Sequence, residues 1–231
     1  PKLQSLLDDS HADDALVVFR HADLRAFGIL PEVANVPPAV LFKGMLGPFK
    51  DGEPPLGAGI ASVISNQVFT ANPPIHGPIR KILLKQFGPK QAAGMAGTAR
   101  EVIAQILAEI GDAAEIDFIE DVAEKLTARF WGSMIGMTED EVAQAAKATR
   151  DMTALFIIDK LVEDFQQADR AVAEYGRLVQ SAALRSLPAG HHPMVSELAA
   201  DLDLLDFPDD PGEAGIVPKN VGALLAGNLV D

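Results

Sequence analysis

The chain has no cysteine, one tryptophan and one tyrosine in 231 residues. Without cysteine it carries no disulfide scaffold, Cys-ligated zinc site, iron–sulfur cluster or cysteine nucleophile of its own. Long apolar runs are also missing. The stretches around Leu155–Ile158 and Val221–Val230 fall short of the roughly 18 apolar residues that a membrane span needs. The N-terminus, Pro1-Lys2-Leu3-Gln4, has no signal-peptide architecture. It does not begin with Met, which predicts that the natural start lies upstream. Positive charge is scarce: 19 Lys and Arg stand against 33 Asp and Glu, a net charge of −14. Phosphate repels such a chain, which argues against a protein that coats nucleic acid. The expectation is therefore a soluble, cytoplasmic protein with neither a nucleic-acid nor a membrane partner. Its 48% hydrophobic and 23% charged residues are ordinary globular values, and a chain of this length buries a real core.

Periodicity predicts a mainly helical chain. Ala15-Leu16-Val17-Val18-Phe19 is a short apolar run with two valines and reads as a buried strand. His21–Phe27 reads as a short helix stopped by Gly28. Residues 28–76 are rich in proline and glycine and read as a long irregular region, of the kind that often carries function. Helical spacing begins near Pro78 and pauses at Gly88-Pro89. Val102, Ile103, Ile106, Leu107 and Ile110 form an apolar stripe that ends at Gly111. Ala114–Phe118 reads as a short extended link. Apolar residues at 122, 126, 130 and 134 predict a helix seam, with Trp131 packed on that helix. Thr138 to Glu141 is a capping box that opens the next helix. Residues 139–187 then predict two long helices with a bend near 158–163. His191–Asp201 predicts another helix, followed by an acidic loop. Val221–Val230 is apolar or small on every side except Asn228. A helix apolar all round belongs inside a larger core, and this one meets the chain end without a cap, which predicts that the chain is incomplete. The division predicted is one partial domain: 1–77 as strand, short helix and irregular loop, 78–217 as the helical region, and 218–231 as the truncated start of a central helix.

Four groups of residues invite a chemical reading. His76 and Arg80 are four apart at a helix start and share a face. Together they form either an anion clamp, with Arg forking onto a carboxylate, or a loose cap beside a solvated cation. From Pro54 to Arg100 there is no Asp or Glu, yet Arg80, Lys81, Lys85, Lys90 and Arg100 lie there. The window carries +5 and the rest of the chain −19. That island marks an anionic ligand or acidic partner, or one solvated helix that happens to lack acids. Ala223 to Asn228 places small residues mid-helix, which permits close approach to the backbone or simply tight packing. Asp201, Asp203, Asp206, Asp209, Asp210 and Glu213 lack the spacing and central glycine of a calcium loop and read as a solvated acidic loop. His191 and His192 point to different sides of a helix, so no metal site is expected.

Taken together, these residues resemble the N-terminal half of the cytochrome P-450 family, the haem-thiolate monooxygenases, in its soluble bacterial branch. The likeness runs from about Ala15 to Asp231. Asn72-Pro73-Pro74-Ile75-His76, Arg80 and Phe87-Gly88-Pro89 resemble the family's C helix, whose pattern is Asp-Pro-Pro-Glu-His, Arg four residues later, then Phe-x-Pro. Met134-Ile135-Gly136-Met137 stands where the family has Leu-Leu-Gly-Val after the E helix, residues 163–187 match the G helix, and Leu224-Leu225-Ala226-Gly227 resembles the opening of the I helix. The resemblance implies a mainly α fold, about the B to I helices, with a short β-strand element near the N-terminus. It implies that His76 and Arg80 bind haem propionates and that Ala226 and Gly227 lie over the haem. Residues 28–71 would include a substrate-lining loop, and Lys81 and Lys85 would help dock a ferredoxin-type electron donor. The substrate class implied is a small hydrophobic organic molecule, into which one oxygen atom from O2 is inserted.

The chain departs from the family in two ways. It holds no Cys to ligate the iron and no Glu-x-x-Arg pair, so it is expected to be inactive alone and to bind haem weakly or not at all. In the I helix, counting from Ala226-Gly227 puts Leu229 and Val230 at the acid and Thr positions. A register shifted by two makes Asp231 the candidate catalytic acid. The other reading of the whole is a non-enzymatic helical binding or interaction module derived from the same fold.

Overall fold

The structure, a computed structural model, describes residues 19–30, 32–36, 56–153, 162–207, 218 and 220–229. The strand expected at 15–19 lies outside these residues except for Phe19, and no strand occurs among the described residues. The helices are α1 (His21–Phe27), α2 (Ala58–Ile64), α3 (His76–Phe87), α4 (Pro89–Ile110), α5 (Lys125–Ile135), α6 (Glu139–Met152), α7 (Val162–Ser186), α8 (Pro193–Asp203) and α9 (Val221–Asn228). The bend expected near 158–163 falls largely on residues 154–161, outside the described set.

Local chemistry explains most boundaries. Gly28 ends α1 with its N–H on the Leu24 carbonyl. Pro89 and Pro193 occupy first turns, where the missing N–H costs nothing. The capping box at α6 is complete: Glu141 N–H donates to Thr138 Oγ1 and Thr138 N–H donates to the Glu141 carboxylate. Arg185 from α7 forks onto the same carboxylate at 2.9 and 2.7 Å. That guanidinium, with help from the Thr138 amide, holds the Glu141 pKa down at about 2.

The seam expected along 122–134 is broken. Residues Phe118–Glu124 form a π-helical segment, with the Asp117 carboxylate accepting from Ile119 and Glu120 N–H groups. The wider π turn changes the angular period. Val122 and Leu126 pack in a small cluster with Val102 and Ile106, whereas Met134 and Ile135 pack on the main core. Leu107, expected on the α4 stripe, is largely exposed.

The core is organised around α7. It packs against α6, α2 and α9, burying Phe165, Val172, Tyr175, Leu178 and Val179. α9 is buried on every face from Val221 to Gly227, as its uniformly apolar sequence requires, and Asn220 caps its start by accepting from Ala223 N–H. Trp131 is half-buried and packs edge-on to Phe87 and Phe130.

Candidate functional site

α3 carries the sequence-predicted clamp. His76 is half-buried in its first turn, and Arg80 is exposed one turn later. Their i, i+4 spacing keeps them on one side of the helix. Among the described residues neither side chain has a hydrogen-bond or ion-pair partner, and the same holds for exposed Lys81. Lys85 differs. Its ammonium sits 2.8 Å from the Asp201 carboxylate of α8, whose hydrogen bond raises the Lys85 pKa. Gln86 also reaches α8, donating to Glu197 at 2.7 Å. Two acids of α8 thus back one side of the basic helix, and the cations left unpaired are at its His76–Lys81 end. Asp201, read as part of a solvated acidic loop, instead belongs to α8 and an ion pair. Among the described residues, no group of three or more His, Asp or Glu side chains is arranged to hold a metal ion. Asp209, Asp210 and Glu213 lie outside them.

The segment entering α3 is fixed by a reciprocal amide pair. Asn72 Oδ1 accepts from Asn35 N–H, and Asn72 Nδ2 donates to the Asn35 carbonyl, both at 2.8 Å. Asn72 is buried, so this pairing satisfies groups that water does not reach. An Asp has no donor for the Asn35 carbonyl. Asn72→Asp should therefore cost about 1–2 kcal/mol, read as a lower urea midpoint with unchanged slope. An unchanged midpoint would show that the pair contributes nothing.

Gly227 is brought against the segment that leads to α3, at Asn66, rather than toward open space. Ala226 and Gly227 are both buried in α9. A Cβ on Gly227 would fall 2.6 Å from the carbonyl carbon of Asn66, so the glycine serves a backbone-to-helix contact. Asn228 locks that contact: its Nδ2 donates to the Asn66 carbonyl at 2.9 Å, and its Oδ1 accepts from Val68 N–H at 3.0 Å. Asp231 lies outside the described residues.

A cavity of about 260 Å³ lies elsewhere, between α5, α6 and α7. Trp131, Ile135, Met137, Ala145, Val179 and Leu229 are among its lining residues, and His76, Arg80, Ala226 and Gly227 are not. Sequence reasoning did not find this space, which opens where Ala128 and Gly132 of α5 and Ala145 and Ala146 of α6 meet Tyr175 and Val179 of α7. It also missed Asp169, a buried carboxylate on α7.

This helix order, with a uniformly apolar helix enclosed by α7 and its neighbours, defines a mainly helical, P-450-like fold. Two solved P-450 structures show the likeness. P450BioI, in complex with hexadec-9Z-enoic acid ligated acyl carrier protein, matches with a TM-score of 0.63 and 11% identity over 91% of this chain and 48% of its own. CalO2 matches with a TM-score of 0.64 and 17% identity over 98% of this chain and 53% of its own. The chain thus spans about half the length of both structures. No family model matches the sequence, and no curated protein matches it. Among the described residues no helix is long and apolar enough to cross a membrane.

Proposed function

We propose that this chain is the propionate-binding, N-terminal half of a haem-dependent monooxygenase that oxidises a small hydrophobic organic substrate. The carrying observation is the His76–Arg80 face of α3, unpartnered among the described residues and set in a P-450-like fold. A carboxylate group fits this face. Arg offers a planar fork of N–H donors and His a further donor, and the 54–100 window contains no acid to compete. The fit covers that end of the haem alone. With no cysteine in the chain, a thiolate ligand has to come from residues outside it. Bound haem supplies one-electron and O2 chemistry. This chain's own contribution is to orient the propionates and to wall the pocket with residues 56–72 and α9.

The packing of Gly227 against Asn66 bears on the I-helix register. A glycine filled by backbone leaves no room above it for a diatomic ligand. That supports the register with Asp231 as the acid, and Ala226 and Gly227 then act as packing residues. For the electron donor, Lys81 is the better docking contact, because Lys85 is already neutralised by Asp201. A ferredoxin-type protein is the partner proposed.

The test uses a version of the protein extended by its downstream coding sequence. Arg80→Ala should weaken haem retention on gel filtration about 10- to 100-fold, the worth of one charge-assisted hydrogen bond. Unchanged retention would remove the propionate role and favour the non-enzymatic module.

A further inference from the structure

The wall formed by residues 56–72 is held by an unusual anchor. Asp169 lies in the interior of α7, flanked by buried Ala168, Ala171 and Val172, and is itself about nine-tenths buried. Its carboxylate does not pair with a cation in the contacts that bind it to α2. Oδ2 accepts from Gly57 N–H at 3.0 Å and Oδ1 accepts from Ile60 N–H at 2.8 Å. These are N–H groups at the start of α2, which have no partner within the helix. α2 has no side-chain cap of its own, so a residue more than a hundred positions away caps it. A buried carboxylate is tolerated only with its acceptors satisfied, and both oxygens depend on α2 being docked.

The rest of the α2–α7 contact is built for close approach. Gly57 has φ of 85°, in the left-handed region that favours glycine. A Cβ on Gly59 would fall 2.2 Å from the Asp169 carbonyl oxygen, and one on Gly176 would fall 2.8 Å from Val63 Cγ2. At its other end the segment is tied to α9 by Asn228, through Asn66 and Val68.

We propose that Asp169 is a positioning residue, a latch that holds residues 56–68 closed against α7 as the wall of the proposed pocket, and that this segment opens as a unit when the latch is removed. The proposal rests on the reading of the pocket above for its functional meaning, but its test does not use haem. Losing the cap strands two backbone donors and leaves the bulk of the core intact. The opening is therefore local, with α6 and α9 kept on α7.

Amide hydrogen exchange by mass spectrometry on the 231-residue chain reads this directly. Asp169→Ala should speed exchange across 57–68 at least tenfold, with residues 139–152 of α6 unchanged. Asp169→Asn keeps one acceptor and should restore part of the protection. Gly59→Ala, which pushes α2 off from the other side, should reproduce the Asp169→Ala pattern and stands in if that variant does not fold. Exchange that rises equally in α2 and α6 would make Asp169 an ordinary core residue and overturn the latch, as would no change at 57–68. Haem retention in the extended Arg80→Ala protein is a separate readout, so failure of the pocket reading and failure of the latch are distinguishable.

Discussion

Leu225→Ala should lower the free energy of unfolding by about 2–5 kcal/mol, the loss of buried methyl groups plus the cavity they leave. Leu225 is fully buried, in a helix whose residues from Val221 to Gly227 are buried on every face. Collapse around the deleted atoms is restricted because α9 is held at both ends. Asn220 caps its start, and Tyr175 from α7 donates its hydroxyl to the Leu229 carbonyl at 2.7 Å. For a chain of this size each kcal/mol lowers the melting temperature by about 2–4 °C, so a drop of roughly ten degrees is expected. Leu204→Ala is the comparator. Leu204 is 82% exposed, and its loss should stay within about 0.5 kcal/mol. Equal effects of the two in urea titration would mean that α9 is not the centre of the core.

That central place was legible in the sequence, because no amphipathic face exists in Val221–Val230 to put toward water. Features set by nearby residues were legible too: the stop at Gly28, the capping box at Thr138 and Glu141, and a helix expected over His191–Asp201 and found at Pro193–Asp203. Their determinants lie within four residues of each other. What the sequence did not show depends on distant partners. Asp169 sits in a helical stretch like other helical acids, and nothing near it announces that it caps a helix more than a hundred residues earlier. Lys85 looked equivalent to Lys81 until α8 brought Asp201 against one and not the other. The π segment at Phe118–Glu124 escaped because an apolar repeat of four suits an α-helix, and the wider turn shows only in the backbone.

The candidate site was legible as residue types more than as positions. Asn72-Pro73-Pro74 and His76 with Arg80 stood out by spacing. The exchange of Asp for Asn at 72 looked like a mild departure from the P-450 pattern. The structure gives it a reason, because the Asn35 backbone presents both a donor and an acceptor, and only an amide answers both.

Gly227→Ala decides what the small residues of α9 are for. Two effects oppose each other. Alanine favours a helix over glycine by about 1 kcal/mol, whereas an added methyl in a packed site costs about 1–3 kcal/mol, sometimes more. Here the new Cβ would meet backbone, at 2.6 Å from the Asn66 carbonyl carbon and 2.8 Å from its oxygen. Asn66 cannot easily retreat, since Asn228 grips its carbonyl and the Val68 amide at once. The clash should win, with a net loss of up to about 2 kcal/mol in chemical denaturation. Gly97→Ala in α4 isolates the propensity effect, because nothing lies within 4 Å of its added Cβ; it should be neutral to about 1 kcal/mol stabilising. If Gly227→Ala behaved like Gly97→Ala, the face of Gly227 would be open rather than filled by Asn66. A loss at Gly227 beside a gain at Gly97 assigns Gly227 to packing.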